Sequence, residues 1–238
     1  MKLKNRISIF GLLLIIIFAG CDSKNTRQSI LKQGFIDTIN IKKNINKQDI
    51  QDEHISTQIV LPEITQKIQV NTSMGRFVIG LYGKDAPKTV DNFIGLVKKR
   101  FYNGILIHRV ANRFLIQMGD NLTKSIRKKS EWGTGGESFY GKEFEDELNT
   151  ITPSYQLGYI KGTVAMANKG PNTNKSQFFI CLDEAIYLDK KWTIFGKVIQ
   201  GMDIVEKISK VEIEENKWGK EDGIPKKPIK IFSINLIE

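Results

Sequence analysis

Apolar and polar residues alternate through residues 107–120, IHRVANRFLIQMGD. Alternation with a period of two predicts strands whose successive side chains point to opposite faces of a sheet. The segment is interpreted as two strands joined by a turn at 111–113, with Leu115 and Gln117 on one face. Ile116 and Met118 lie on the other face, and the adjoining turn swings Phe114 out of the alternation.

A second segment, residues 166–181, begins with the turn cluster GPNTN and continues as a strand. Gln177 and Phe179 share one face of this strand, and Phe178 and Ile180 share the other. Each of the two segments thus offers an amide beside an apolar group. Together they predict a small apolar pocket with polar groups at its rim, which suits a short peptide better than a charged metabolite.

The rest of the pattern predicts a mainly β fold. Residues 68–81 form an opening hairpin about a turn at 72–75. Pro87 favours the first turn of a helix, and residues 201–210 form a second, shorter one. The buried positions of the two helices are Val90, Phe93, Ile94 and Val97, and then Met202, Val205 and Ile208. Many short strands with two helices and no βαβ alternation predict a barrel capped by helices.

Arg109 is a permanent cation among Ile, Val, Phe and Leu residues. Burying an unpaired guanidinium costs free energy, so an arginine in this setting calls for an explanation. On this segment alone two interpretations stand: a core hairpin with a snorkelling arginine, or an arginine placed at a site.

Four segments, IHRV…RFLIQMGD, GTGGESFYGKEFEDE, MANKGPNTNKSQFFIC and FGKVIQGMDIVEKI, resemble in this order the cyclophilin family of peptidyl-prolyl cis-trans isomerases. The resemblance covers residues 68–238. It implies a closed eight-stranded antiparallel β-barrel capped by two α-helices, with the isomerase domain at 67–238. It also implies proline-containing polypeptide substrates, a monomer, and chemistry without a metal or cofactor.

The resemblance carries roles over to individual residues. Arg109 matches the arginine that donates to the prolyl amide, and Phe114 and Gln117 complete the expected catalytic group. Leu115, Phe179 and Leu188 match the proline pocket. The remaining expected substrate contacts are Gly133, Ala167, Asn168, Thr173, Gln177, Tyr187 and Trp192.

Three residues depart from the family pattern. Leu115 stands where most members have Met, a change that conserves volume. Tyr187 stands where the animal enzymes carry a Trp used to bind cyclosporin, so cyclosporin binding is expected to be weak. Trp192 replaces a His and either narrows the slot or adds a stacking surface.

The N-terminus resembles a bacterial lipoprotein signal peptide at 1–20. Lys2, Lys4 and Arg6 precede an apolar run at 9–19 that is too short to span a bilayer. The sequence FAGC then places Cys21 where a lipobox requires it, which predicts a lipid anchor on Cys21 in the cell envelope. An export signal without lipid is the alternative. Residues 21–66 are expected to form a polar tether, or in part an amphipathic helix.

Charge and composition exclude other classes of protein. The 238 residues carry a net charge of +10, but the basic residues lack interleaved aromatics, so nucleic-acid binding is not expected. Cys21 and Cys181 have no nearby Cys or His partners, which argues against a metal cluster. His108 fits a structural role better than that of a base. The acidic group at 143–147 is expected to face solvent or to stabilise a turn.

These observations predict an extracytoplasmic, lipid-anchored peptidyl-prolyl isomerase for exported proteins. The alternative is a surface-displayed peptide-binding or adhesion module that keeps the pocket without depending on turnover. A general chaperone is a third possibility, and it predicts binding of unfolded chains that lack proline.

Overall fold

The computed structural model describes residues 60–185, 187–216 and 219–238. The predicted signal peptide, Cys21 and residues 22–59 of the predicted tether lie outside this part of the chain. The described strands are β1 (Gln66–Thr72), β2 (Gly75–Leu81), β3 (Leu106–Ile107), β4 (Arg109–Ala111), β5 (Leu115–Met118), β6 (Thr163–Met166), β7 (Phe178–Cys181), β8 (Ile194–Gln200), β9 (Ile213–Asn216), β10 (Gly219–Pro225) and β11 (Ile229–Ile237). The described helices are α1 (Pro87–Lys98), α2 (Pro153–Leu157) and α3 (Met202–Ser209), with two 3₁₀ helices at Asn121–Lys124 and Ile126–Glu131.

The strands form one curled antiparallel sheet in the order β3-β11-β1-β2-β8-β6-β7-β5-β4-β10-β9. The prediction of a mainly β fold is confirmed. The prediction of a closed eight-stranded barrel capped by two helices is wrong, because the described sheet has eleven strands and two ends, and a short third helix is present. The additional hairpin β9–β10 is rich in charged residues and Gly, and it lacks the alternation that predicts strands.

His108 lies at a break between two strands of the sheet. This single residue separates β3, which pairs with β11, from β4, which pairs with β5 and β10. One short stretch of chain therefore contacts strands from distant parts of the sheet order. The ladder is interrupted at this point, which is why β3 and β4 are separate strands.

The inner face of the sheet packs on α1 to form the main core. Phe93, from the middle of α1, contacts Tyr102, Phe178 and Phe195, with ring centroids 5.1, 5.4 and 5.3 Å away. All four rings are buried. The predicted apolar face of α1 is confirmed, since Val90, Phe93, Ile94 and Val97 are all buried.

The outer face of β4–β8 carries a second, smaller apolar cluster, here called the outer cluster. Its buried members are Tyr82, Ala111, Leu115, Tyr159, Ala165, Phe179, Cys181, Ala185 and Ile194, with Phe114, Ala167, Leu188 and Trp192 packed against them. Strands β5, β6 and β7 are thus apolar on both faces, which explains why their residues are almost all buried. The predicted alternation in β5 and β7 is confirmed.

Among the described residues no helix has both the length and the apolar character needed to cross a bilayer.

The acidic group at 143–147 was expected to face solvent or to stabilise a turn, and one of its members, Glu147, instead caps a helix. Ala86, at the N-cap of α1, has no side chain that could accept a hydrogen bond. Glu147 supplies the missing acceptor, since its carboxylate oxygens accept from the backbone N–H groups of Lys88 at 3.1 Å and Thr89 at 2.8 Å. A carboxylate at a helix N-terminus also complements the helix dipole.

We predict that Glu147→Ala lowers the free energy of unfolding by about 1–2 kcal/mol, because two N–H groups of α1 lose their acceptor. Thermal or urea unfolding measures the change. Glu145→Ala is the matched control, because Glu145 is exposed and pairs only at the surface with Lys88. An equal effect of the two substitutions contradicts the capping role.

Candidate active site

A slot on the outer face of the sheet encloses a cavity of about 370 Å³. Its lining residues are Arg109, Phe114, Leu115, Gln117, Ala167, Asn168, Phe179, Leu188 and Trp192. The sheet register explains why three of them meet. Arg109 lies opposite Gln117 on the neighbouring strand, and Gln117 lies opposite Phe179 on the next. Cross-strand neighbours share one face, so a cation, an amide and an aromatic ring form a row across β4, β5 and β7.

The floor and walls of the slot are apolar. Leu115 and Phe179 are 4% and 5% exposed and belong to the outer cluster. Phe114 joins them because the preceding Arg113 adopts a positive φ of 57° and redirects the chain. Trp192 packs edge-on against Phe179, with ring centroids 6.2 Å apart. The slot can therefore take a small apolar group such as a proline ring.

Arg109 lies at one side of the slot with its guanidinium fixed by two acceptors. Its Nε donates to both carboxylate oxygens of Asp222 at 3.0 and 3.1 Å, and its Nη2 donates to Oδ2 at 2.7 Å. Its Nη1 donates to Gln117 Oε1 at 3.3 Å. Of the five guanidinium N–H donors, three are engaged by these described partners, and one on each terminal nitrogen is left for a ligand.

The two predicted glutamines continue this hydrogen-bonded chain. Gln117 Nε2 donates to Gln177 Oε1 at 2.9 Å. Gln177 Nε2 in turn donates to the carbonyl oxygens of Gly135 at 2.9 Å and Gly133 at 3.1 Å. These hydrogen bonds fix the orientation of both glutamine amides between Arg109 and the loop at 133–135. Both amide oxygens and both amide nitrogens along this path therefore have a hydrogen-bond partner, as polar groups near an apolar wall generally do.

A smaller cavity of about 50 Å³ adjoins the slot beyond Gln117. Gly133, Thr173 and Gln177 of the predicted substrate contacts line it, together with the shared residues Gln117, Ala167 and Asn168. Gly135, Glu143, Lys169 and Lys175 also line it and were not predicted. Glu143 and Lys175 form an ion pair at 3.1 Å. The smaller cavity is therefore polar and charged where the slot is apolar.

Two aspartates support the loops around the site: Asp120, which the sequence analysis did not single out, and Asp146, a member of the acidic group at 143–147. Asp120 is fully buried and accepts from the backbone N–H groups of Leu122, Gly133 and Gly135 at 2.8, 2.6 and 3.1 Å. Asp146 accepts from the side chains of Asn168 at 3.1 Å and Asn174 at 2.7 Å. For Asp120 the only signal in the sequence was its position inside a quoted family segment.

The structure brings the predicted site residues together, except for Tyr187, which lies at the margin of the site. Nine of the thirteen line the slot, and Gly133, Thr173 and Gln177 line the adjoining cavity. Tyr187 lines neither cavity; it is 71% exposed, with its ring centroid 6.2 Å from that of Phe114. Weak cyclosporin binding stays a prediction. Cys21 lies outside the described residues.

His108 is buried directly behind the site, at 4% exposure. Burial lowers its pKa from 6.5 to about 4, because the charged imidazolium is disfavoured away from water. The nearby carboxylate of Asp120 opposes this lowering of the pKa, and the guanidinium of Arg109 adds to it. The ring is therefore neutral at physiological pH and does not compete with Arg109 as a cation.

The thiol of Cys181 is buried in the outer cluster, and burial raises its pKa to about 12. It is therefore an unreactive apolar group at neutral pH. Within the described ranges no three His, Cys, Asp or Glu side chains group in a way that could bind a metal ion.

Comparison with known proteins identifies the family to which the chain belongs. Residues 67–236 match the family model for the cyclophilin type peptidyl-prolyl cis-trans isomerase/CLD. The chain therefore belongs to the cyclophilin-type peptidyl-prolyl cis-trans isomerase family, and its family and relatives indicate isomerase activity.

Individual relatives agree with this assignment. The chain is 45% identical to peptidyl-prolyl cis-trans isomerase-like 1 of Bos taurus, over 61% of this chain and 80% of the relative. It is 38% identical to peptidyl-prolyl cis-trans isomerase-like 3 of Gallus gallus, over 63% of this chain and 86% of the relative. A crystal structure of a Cryptosporidium parvum cyclophilin type isomerase superposes with a TM-score of 0.62 at 30% identity, covering 73% of this chain and 98% of the other. A second crystal structure of that protein, with the same TM-score, was obtained in the presence of the dipeptide Ala-Pro.

We predict that the free energy of unfolding falls as the pH drops from about 6.5 towards 4, because the unfolded chain protonates His108 at a higher pH than the folded protein. Above this window the ring is neutral in both states. His108→Gln should remove this contribution to the pH dependence, since Gln does not titrate. The contribution is at most about 3 kcal/mol over the whole window. Urea unfolding of both proteins at a series of pH values measures it. The carboxylates titrate alike in the parent and the variant. An equal dependence of stability on pH in the two proteins therefore contradicts the role given to His108.

Proposed function

We propose that the protein isomerises X–Pro bonds in the slot, with Arg109 as donor to the prolyl amide and the apolar wall around Phe114 and Phe179 as the seat of the proline ring. The arrangement that carries this proposal is the guanidinium fixed beside a cavity with apolar walls that is large enough for a proline ring. The crystal structure of the Cryptosporidium parvum relative obtained in the presence of Ala-Pro supports a proline-containing peptide as the substrate class.

The reaction needs no proton transfer and no nucleophile. Amide resonance imposes a barrier of about 18–20 kcal/mol on rotation, and uncatalysed isomerisation takes roughly tens to hundreds of seconds. In the twisted transition state the prolyl nitrogen becomes pyramidal and regains its lone pair. A donor aimed at that nitrogen stabilises the twisted state more than the planar one, which is the condition for acceleration.

The size of the acceleration fits the groups present. A turnover of about 10²–10³ per second requires about 10⁴–10⁵-fold, or some 5–7 kcal/mol. One charge-assisted hydrogen bond in a desolvated slot, together with preorganised donors, supplies a contribution of that order. Gln117, Ala167 and Asn168 line both cavities, so they can bind the peptide backbone while the flanking carbonyl turns.

A peptide-binding module with dispensable turnover remains the second candidate. The slot and the smaller cavity together accommodate an extended peptide, and binding alone does not require a fixed guanidinium. The presence of Arg109, with three of its donors engaged, favours the enzyme. Placing a cation beside an apolar wall costs free energy, and only the isomerase reaction gives that cation a role.

We predict that Arg109→Ala lowers kcat/KM for an X–Pro peptide by about 10²-fold, the scale of losing one transition-state donor. A protease-coupled isomerase assay measures turnover, and calorimetry measures peptide binding. Arg109→Lys is the matched control: it keeps a positive charge beside Asp222 but loses the planar donor fork. We expect both variants to lose turnover and to bind peptide.

Thermal unfolding of both variants shows whether the loss reflects the site or the fold. Peptide binding without turnover in the parent protein supports the module. Full turnover in a folded Arg109→Ala protein rules out the proposed role of Arg109.

We further propose that the enzyme acts on exported proteins from a lipid anchor on Cys21 in the cell envelope. The basic residues at 2–6, the short apolar run and the FAGC sequence support this proposal. Two or more acyl chains give stable anchoring.

We predict that Cys21 incorporates a radiolabelled fatty acid in a bacterial host and that the labelled protein sediments with membranes. Cys21→Ser should lose the label and appear in the soluble fraction, since the thiol is the acyl acceptor. Cys181→Ser is the matched control, because that thiol lies in the outer cluster and should leave labelling unchanged. Labelling of Cys21→Ser at the parent level contradicts the anchor.

A further inference from the structure

Asp222 of β10 makes a charged contact with the site from outside the slot. We propose that Asp222 is a positioning residue for Arg109: its carboxylate fixes the guanidinium so that the two remaining donors face the substrate. Asp222 is not among the residues that line the slot, so it acts through Arg109 and does not touch the peptide. This inference rests on the role proposed above for Arg109.

The pair has the geometry of a strong charge-assisted contact. The two carboxylate oxygens accept from the Nε–Nη2 edge of the guanidinium at 3.0, 3.1 and 2.7 Å. The side chain of Arg109 is 30% exposed and that of Asp222 is 13% exposed. Bidentate pairing constrains the plane of the guanidinium as well as its distance, whereas a single contact constrains distance alone.

The register of β10 on β4 explains why the carboxylate reaches Arg109. Asp222 lies opposite Ala111, and Gly223 lies opposite Val110. Arg109 and Ala111 share a face of β4, so Asp222 is the diagonal cross-strand neighbour of Arg109, within reach of a long side chain. The backbone N–H of Asn112 donates to the carbonyl of Glu221 at 2.8 Å and fixes this register at the turn.

Gly223 keeps the β9–β10 hairpin together next to this contact. A Cβ at Gly223 would lie 2.0 Å from the carbonyl oxygen of Glu214 on β9. Only glycine permits so close an approach of the two strands. The position of Asp222 is therefore set by backbone packing and not by a flexible loop.

Two acceptors on different edges prevent the guanidinium from turning. Asp222 occupies the Nε–Nη2 edge, and Gln117 accepts from Nη1 at 3.3 Å. An arginine side chain otherwise carries about 2 kcal/mol of rotamer entropy. Donors that are oriented before the substrate binds need no reorganisation when the amide twists, which is the condition for electrostatic catalysis.

We expect Asp222→Asn to lower kcat by about 10-fold with KM changed less than about two-fold, because a mispositioned donor fails in the transition state more than in substrate binding. Glu221→Gln is the matched control: it removes one negative charge from the adjacent, exposed position of the same strand. It should leave both constants at the parent values. The protease-coupled assay over a range of peptide concentrations gives kcat and KM.

A double variant separates this role from a general effect on the fold. If Asp222 acts through Arg109, Asp222→Asn should change activity less than about two-fold in an Arg109→Ala background, because coupled residues are not additive. A full 10-fold further loss there, or parent activity or higher in Asp222→Asn alone, overturns the inference while leaving the role of Arg109 intact. Full activity in Arg109→Ala alone overturns the role of Arg109, and the positioning role with it.

The Arg109 Nε–H signal in ¹⁵N NMR gives a readout that does not depend on turnover. Its hydrogen should exchange slowly with solvent in the parent and in Glu221→Gln, and faster in Asp222→Asn, because the carboxylate acceptor is gone. Unchanged exchange in Asp222→Asn overturns the inference.

If Asp222→Asn does not fold, Asp222→Glu serves in its place, since it keeps the charge but displaces the carboxylate by one methylene. We then expect a smaller loss of kcat, and parent kcat and exchange in a folded Asp222→Glu count against the positioning role.

Discussion

The arrangement of the site depends on the cost of placing a guanidinium beside an apolar wall. Arg109 borders the slot, and only 30% of its side chain is exposed. A cation beside an apolar wall needs acceptors from the protein, and three of its five donors have them. Asp222 supplies charge from β10, and Gln117 supplies an amide oxygen from β5. The cation is thus oriented by strands on both sides of its own.

The same strands contribute to stability and to the site because both of their faces are buried. In β7, Phe178 packs against Phe93 in the core, while the next residue, Phe179, forms the wall of the slot. A shift of one residue in the register would exchange these two faces and place Gln117 in the core. The core therefore fixes the register, and the register fixes the row of Arg109, Gln117 and Phe179.

The parts of the site that could be predicted from sequence are those within single alternating strands. The faces of Leu115 and Gln117, and of Gln177 and Phe179, follow from a period of two and are as predicted. Asp222 could not be found in this way, since it pairs with a residue 113 positions away and lies in a strand, GKEDGIP, that shows no alternation. The closed eight-stranded barrel was wrong for a related reason. The break at His108 and the charged β9–β10 hairpin depend on long-range pairing that local pattern does not report.

Trp192, one of the three residues expected to depart from the family pattern, forms part of the wall of the slot. The hydroxyl of Tyr159 donates to the carbonyl of Trp192 at 2.8 Å and accepts from its backbone N–H at 3.0 Å. Burial raises the pKa of Tyr159 to about 12, so the hydroxyl keeps its proton and remains a donor. The indole is also packed edge-on against Phe179, which leaves it little freedom to act as a lid. The hydrogen bonds of Arg109 involve neither Tyr159 nor Trp192, so in the proposed mechanism a change in this wall alters the seat of the proline and leaves the donor to the twisted amide in place.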